Sequence, residues 1–226
     1  GGADILELGV PFSDPIADGP VIQRASDRAL RAGATVARVL EIASQIREKS
    51  DIPILLFSYM NPLLRFGFDR LGEEAARRGI DGVLLTDLSV EEAEQTVAQL
   101  RRHGLDTVFL AAPTSTQRRL QLVAQYSSGF VYVVSRTGVT GEQDSVAASV
   151  EPLVQQLRSL TELPIAVGFG VSRAEHLHAI GQYADGAIVG SAIMRLVEQH
   201  GNDPDLPTRL EAFARDLTSP PEGARP

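Results

Sequence analysis

The chain contains no cysteine and a single lysine, Lys49. The first absence excludes a disulfide framework, a thiolate nucleophile and cysteine-ligated metal. The second disfavours covalent aldolase chemistry, because Lys49 falls near the end of a surface helical pattern and no strand end in view offers a Schiff-base lysine. No run of about 18 apolar residues occurs, so nothing reads as a membrane span. Positive charge is scarce too, with 21 Lys and Arg against 29 Asp and Glu for a net charge of −8. The basic residues do not cluster, whereas phosphate-backbone binding needs a concentrated positive face, which argues against nucleic acid as a partner. The four histidines (His103, His176, His178 and His200) all lie on helical patterns or their ends. None stands with carboxylates at a strand terminus, so a metal-dependent epimerase is disfavoured. An initiator methionine and a recognisable signal peptide are also missing, and the first apolar strand begins within four residues of Gly1. A preceding segment is the expectation.

What is present is a regular alternation. Strand patterns occur at Ile5–Gly9, Ile54–Phe57, Val83–Thr86, Thr107–Ala111, Phe130–Val134, Ile165–Gly168 and Ala187–Gly190. Amphipathic stretches lie between them, such as Val90–Arg102, where Val90, Ala93, Val97 and Leu100 recur at helical spacing. Pro20 suits a helix start, and Gly33, Gly79 and Gly104 sit where helices should stop. A short pattern repeats as Gly-Ala-Asp4-Ile, Gly-Ile-Asp81-Gly, Gly-Leu-Asp106-Thr and Ala-Asp185-Gly-Ala, each read as a helix end, a small turn and a buried strand. Gly79, Gly104 and Gly129 follow at intervals of 25 residues, about one βα unit. Continuous apolar strands between helices predict a parallel sheet covered by helices. Seven strands fall one short of the usual (β/α)8 TIM barrel, so the expectation is that barrel with seven of its eight strands and its first βα unit missing. An open doubly wound sheet is the alternative, but no Gly-x-Gly-x-x-Gly follows a strand. Residues 1–217 read as one barrel domain, and 218–226, rich in Pro and Gly, as a disordered tail.

Two acidic residues stand out. Alternation along Ile5-Leu-Glu-Leu-Gly9 sets Leu6 and Leu8 on one face and Glu7 on the other, which in a barrel is the interior. A buried, unpaired carboxyl there would have a raised pKa suited to proton transfer, although ion-pair networks also bury carboxylates. Asp18 follows on the loop leaving that strand, at the face where barrel active sites are built, but aspartate before Gly-Pro is also a common turn residue. Late in the chain, Gly138–Gly141, Gly168-Phe-Gly170 and Gly190-Ser191 suggest a phosphate cradle, since glycines admit an anion to backbone N–H groups and a helix N-terminus favours it.

With these residues in place the chain resembles the tryptophan synthase α chain family. The resemblance rests on Leu6-Glu-Leu-Gly-Val-Pro-Phe-Ser-Asp-Pro-Ile-Ala-Asp-Gly-Pro20, then Tyr59-Met-Asn-Pro62, Asp87-Leu-Ser-Val-Glu-Glu92, Ala112-Pro-Thr-Ser115, Val134-Ser-Arg-Thr-Gly-Val-Thr-Gly141, Gly168-Phe-Gly170 and Gly190-Ser-Ala192. It runs to about Leu217, and Ser89 departs from it where members usually carry proline. The resemblance implies retro-aldol cleavage of indole-3-glycerol phosphate, with Glu7 as general acid–base and Asp18 holding the indole N–H. Tyr132, Phe57 and Tyr59 would line the pocket, Thr140 would bind the substrate, and Gly141, Gly168, Phe169, Gly170, Gly190 and Ser191 would cradle its phosphate, under a lid at Arg136–Ser149. It implies no cofactor in this chain, pyridoxal phosphate in a partner β chain, an α2β2 assembly contacted through Pro11, Asp14, Asn61 and Pro62, and a cytoplasmic location. A stand-alone indole-releasing lyase, another phosphate-binding barrel such as a sugar-phosphate isomerase, and a subunit that only activates its partner are the alternatives.

Overall fold

The computed structural model describes residues 1–134, 143–168 and 170–219, and of residues 143–149 the backbone alone. Strands β1 (Leu6–Gly9), β2 (Ile54–Ser58), β3 (Gly82–Leu85), β4 (Asp106–Ala111), β5 (Val131–Val134), β6 (Ile165–Gly168) and β7 (Gly186–Ile188) lie at the seven expected places. Each pairs in parallel with the next in chain order, so β1 and β7 form the two edges of a curled sheet. Helices α1 (Pro20–Arg31) and α2 (Val36–Arg47) follow β1, while α3 (Met60–Phe66) and α4 (Phe68–Arg77) follow β2. Beyond them come α5 (Glu94–Arg102), α6 (Gln117–Tyr126), α7 (Gln143–Arg158), α8 (Ala174–Ile180), α9 (Ser191–His200) and α10 (Leu206–Thr218). This is the TIM-barrel architecture with seven strands.

Helix boundaries follow local chemistry. Pro20 occupies the first turn of α1, where a missing N–H costs nothing. Thr35 and Thr116 accept the N–H groups of Arg38 and Arg119 and so cap α2 and α6. Gly33, Gly79 and Gly104 take positive φ of 81°, 79° and 74° just past their helices, a backbone that side chains resist. Gly129 does not join them; α6 ends instead through Ser127 in an extended conformation. The stretch Val90–Arg102 is also divided, into a 3-10 turn at Val90–Glu92 and α5, with Ala93 as the junction. The apolar spacing survives the break, which is why the pattern reads as one helix. At the C-terminal end α10 carries Thr218, the first residue of the predicted tail, as helix, and residues 220–226 lie outside those described.

Register divides the strands into two faces. Glu7 pairs with Leu55, Phe57 with Leu84, Leu84 with Val108, Leu110 with Tyr132 and Tyr132 with Ala166. Leu55, Leu84, Val108 and Phe130 pack together with Phe57, Leu110, Tyr132, Ala166 and Ile188, forming the barrel interior. The opposite parity (Ile54, Leu56, Val83 and Leu85 in one half; Phe109, Val131, Val133, Ile165 and Val167 in the other) packs beneath the helices as two apolar layers. Near the two sheet edges, α1 buries none of its residues, and it meets α9 through Arg24 and Arg28, both bonded to Glu198.

Candidate active site

Glu7 has the predicted inward parity, but its side chain is exposed and not buried as the alternation implied. Among the described residues β1 pairs with β2 alone, and Glu7 lies at that edge of the sheet. Enough protein still surrounds the carboxyl to push it up to about 7. Tyr132, on β5, carries a phenol raised well above its ordinary value, chiefly by burial and then by the negative charges of Glu7 and Asp18. The charges of Glu7 and Asp18 thus both act on this one buried phenol.

Asp18 is brought there by a tight loop. Asp18 N–H bonds to Pro15 O at 3.0 Å, the Gln23 side chain donates to Asp18 O at 2.9 Å, and the Tyr59 hydroxyl donates to Asp18 Oδ2 at 2.8 Å. Partial burial raises this carboxyl, and the Tyr59 hydrogen bond opposes the rise. Tyr59 is only 3% exposed, sits directly after β2 and packs against Phe12, ring centroids 5.3 Å apart. Phe57 lies in the interior layer with Tyr132.

The glycines at the other end of the sheet divide by environment. A Cβ on Gly168 would lie 2.7 Å from the Tyr132 hydroxyl, so β6 needs glycine there to let the tyrosine cross. Gly170 has φ +47°, and a Cβ at Gly170 or at Gly190 would meet nothing within 4 Å. Gly190 precedes α9, whose first residue is Ser191 and whose first N–H groups lack acceptors within the helix. That geometry suits an anion. Thr140, Gly141 and Phe169 lie outside the described residues, as do residues 136–142 of the Arg136–Ser149 lid, whose remainder is the backbone of the start of α7.

Of the residues marked for a partner, Asn61 and Pro62 belong to the first turn of α3; proline is tolerated there because that turn has no N–H partner to lose. Asp14 and Asn61 are exposed, and Ile16 and Leu64 beside them are 85% and 59% exposed. Asp87 is a residue that sequence reasoning left without a role. It follows β3, and its Oδ1 accepts the Met60 N–H at 2.7 Å, fixing the start of α3. Its position just after a strand end was the available signal.

A curled parallel sheet covered by helices, with Glu7 and Asp18 on and after β1 and an open glycine before α9, defines an α/β barrel of the TIM class. The tryptophan synthase alpha chain family model matches residues 1–219. The tryptophan synthase alpha chain of Solibacter usitatus (strain Ellin6076) is 64% identical over 217 residues, covering 96% of this chain and 81% of the relative. That of Geotalea uraniireducens (strain Rf4) is 47% identical over 216 residues, covering 96% and 80%. Among solved structures, a chain from the tryptophan synthase α2β2 complex of Pyrococcus furiosus superposes with a TM-score of 0.89 at 36% identity, covering 95% of this chain and 86% of that one. The chain belongs to the tryptophan synthase alpha chain family, and with it to the lyase-type enzymes of tryptophan synthesis.

Proposed function

We propose that this chain cleaves indole-3-glycerol phosphate to indole and glyceraldehyde 3-phosphate, with Glu7 and Asp18 as its catalytic residues. The observation that carries the reading is an inward-facing carboxyl, Glu7, poised at about 7, with Asp18 on the following loop held by the Tyr59 hydroxyl at 2.8 Å. Near neutral pH Glu7 is available in both protonation states. Protonated, it gives its proton to indole C3, and the ring nitrogen becomes positive. Ionised Asp18 stabilises that charge by accepting the N–H. Glu7, now a carboxylate, takes the proton of the side-chain hydroxyl next to the scissile bond; the carbonyl forms, the carbon–carbon bond breaks, and its electron pair restores the neutral indole. Protons balance, and Glu7 returns to its starting form. Glu7, poised at about 7, serves proton transfer, and Asp18, held by the Tyr59 hydrogen bond, serves charge stabilisation.

The phosphate would lie against Gly170, Gly190 and Ser191, with Gly168, Phe169, Thr140 and Gly141 completing the cradle, and Tyr132 and Phe57 would flank the indole. The reaction needs no cofactor from this chain, and pyridoxal phosphate would belong to the partner β chain. The face around Pro11, Asp14, Asn61 and Pro62, with exposed Ile16 and Leu64, suits that partner, whose presence in the Pyrococcus furiosus complex supports an α2β2 assembly. Purified chain mixed with indole-3-glycerol phosphate should release indole, and addition of the cognate β chain should yield a sedimenting complex and faster release. Substrate left intact in both mixtures would sink the assignment; release without association would leave a stand-alone lyase.

A further inference from the structure

Tyr59 does not simply line a pocket. Its hydroxyl gives its one proton to Asp18 Oδ2 at 2.8 Å and accepts the Ala17 N–H at 3.0 Å, so a single atom grips two consecutive residues of the loop after β1. Among the described residues, Asp18 Oδ1 has no hydrogen-bond partner, which leaves that oxygen for a substrate donor. The phenol is itself fixed. Its ring is buried against Phe12, its residue immediately precedes α3, and the start of α3 is pinned by Asp87, from the loop after β3. Three successive loops are thus tied into one chain of contacts that ends on the Asp18 carboxylate. Burial and the Asp18 bond push the Tyr59 phenol up to about 12, so it remains a donor throughout the working pH range.

We propose that Tyr59 is the positioning residue for Asp18: its hydroxyl fixes Oδ2, holds the carboxylate ionised and aims Oδ1 at the nitrogen of the bound substrate. The inference rests on the assignment of Asp18 to the indole N–H. A charge-assisted hydrogen bond delivered by a preorganised side chain stabilises the anion it touches, and it costs no reorganisation when charge develops.

Tyr59→Phe tests this, because the ring and its packing on Phe12 are retained while the proton donor is lost. kcat should fall about 10-fold, the scale of one hydrogen bond to a charged group, with KM nearly unchanged. The acid limb of the kcat/KM profile should move to higher pH, since the bond removed was lowering the Asp18 carboxyl. In an Asp18→Asn background the same change should add little further loss. A carbon-13 NMR titration of the Asp18 carboxyl in both proteins reads the contact without any assay of turnover, and it should show the same upward move. Should Tyr59→Phe leave the titration and kcat unaltered, or should its loss persist undiminished beside Asp18→Asn, the positioning role fails. If the titration moves in a chain that does not cleave indole-3-glycerol phosphate at all, the contact stands and the substrate assignment is what falls.

Discussion

At Glu7 the raised carboxyl acts on turnover and on stability in opposite directions. Turnover requires it, so Glu7→Gln should lower kcat by ~10²–10⁴-fold, the usual worth of general acid–base help, with phosphate-end binding retained. The kcat/KM profile should be bell-shaped, falling on the basic side near 7 as Glu7 loses its proton. On the acid side it should fall as Asp18, raised above 3.8, gains one. Stability runs the other way. The folded-state value of about 7 lies above the ordinary 4.5, so folding favours the protonated form. The linked stability is complete below 4.5 and is lost as pH rises through about 7. Glu7→Gln should therefore raise Tm at pH 8 relative to pH 5. Water at this exposed side chain screens the effect to on the order of 1 kcal/mol, about 2–4 °C in Tm for a chain of this size. Equal Tm changes at both pH values would mean that Glu7 is not destabilised in the fold. Strand parity made Glu7 legible in the sequence. Its exposure was not, because parity gives direction and only the neighbouring strands decide access to water.

Among elements, the repeated aspartates show how a pattern can be seen and its purpose missed. The repeats read as a turn before a strand. In the structure Asp81 Oδ2 accepts the Ile54 N–H at 2.7 Å and the Arg47 guanidinium at 2.7 Å, tying the starts of β2 and β3 to the end of α2. Asp185 does the same at the far side, accepting the Ile165 N–H at 2.8 Å and Arg158 at 3.1 Å, and so joins β6, β7 and α7. Asp106 varies the theme by accepting the Ser128 hydroxyl at 2.7 Å. Spacing alone does not reveal which backbone group a carboxylate will meet across a sheet, whereas helix and strand periods follow from residues near in sequence. The Ile165 N–H bond, followed by the Arg158 bond and charge, holds Asp185 below its ordinary 3.8. Its stabilisation is present above 3.8 and is lost as pH falls through the depressed value. Asp185→Ala should cost about 1 kcal/mol at pH 7, modest because the site is half-exposed, and urea midpoints of the two proteins should draw together near pH 3. A constant gap across that range would assign the loss to packing and not to the carboxylate.

Over the whole molecule, the strand pattern and the apolar parity specified a parallel barrel, and seven of seven strand positions were read correctly to within a residue or two. The association of distant loops was less legible: Tyr59 reaches Asp18 across 41 positions, a contact set by how β1 and β2 lie side by side. The spatial order of strands, β1 through β7 with none skipped, repeats their order along the chain. That bears on how the protein is made. A polypeptide leaves the ribosome N-terminus first, and domains can begin to fold as they emerge. Here each newly exposed strand finds its template already in place, the strand synthesised just before it, and no strand has to wait for a distant one. Every pairing step closes a loop of one βα unit, and loop-closure entropy grows only slowly with such lengths. A nascent chain can thus grow its sheet one strand at a time, with Glu7 and Asp18 in place before the glycines that follow β6 and β7 have been translated.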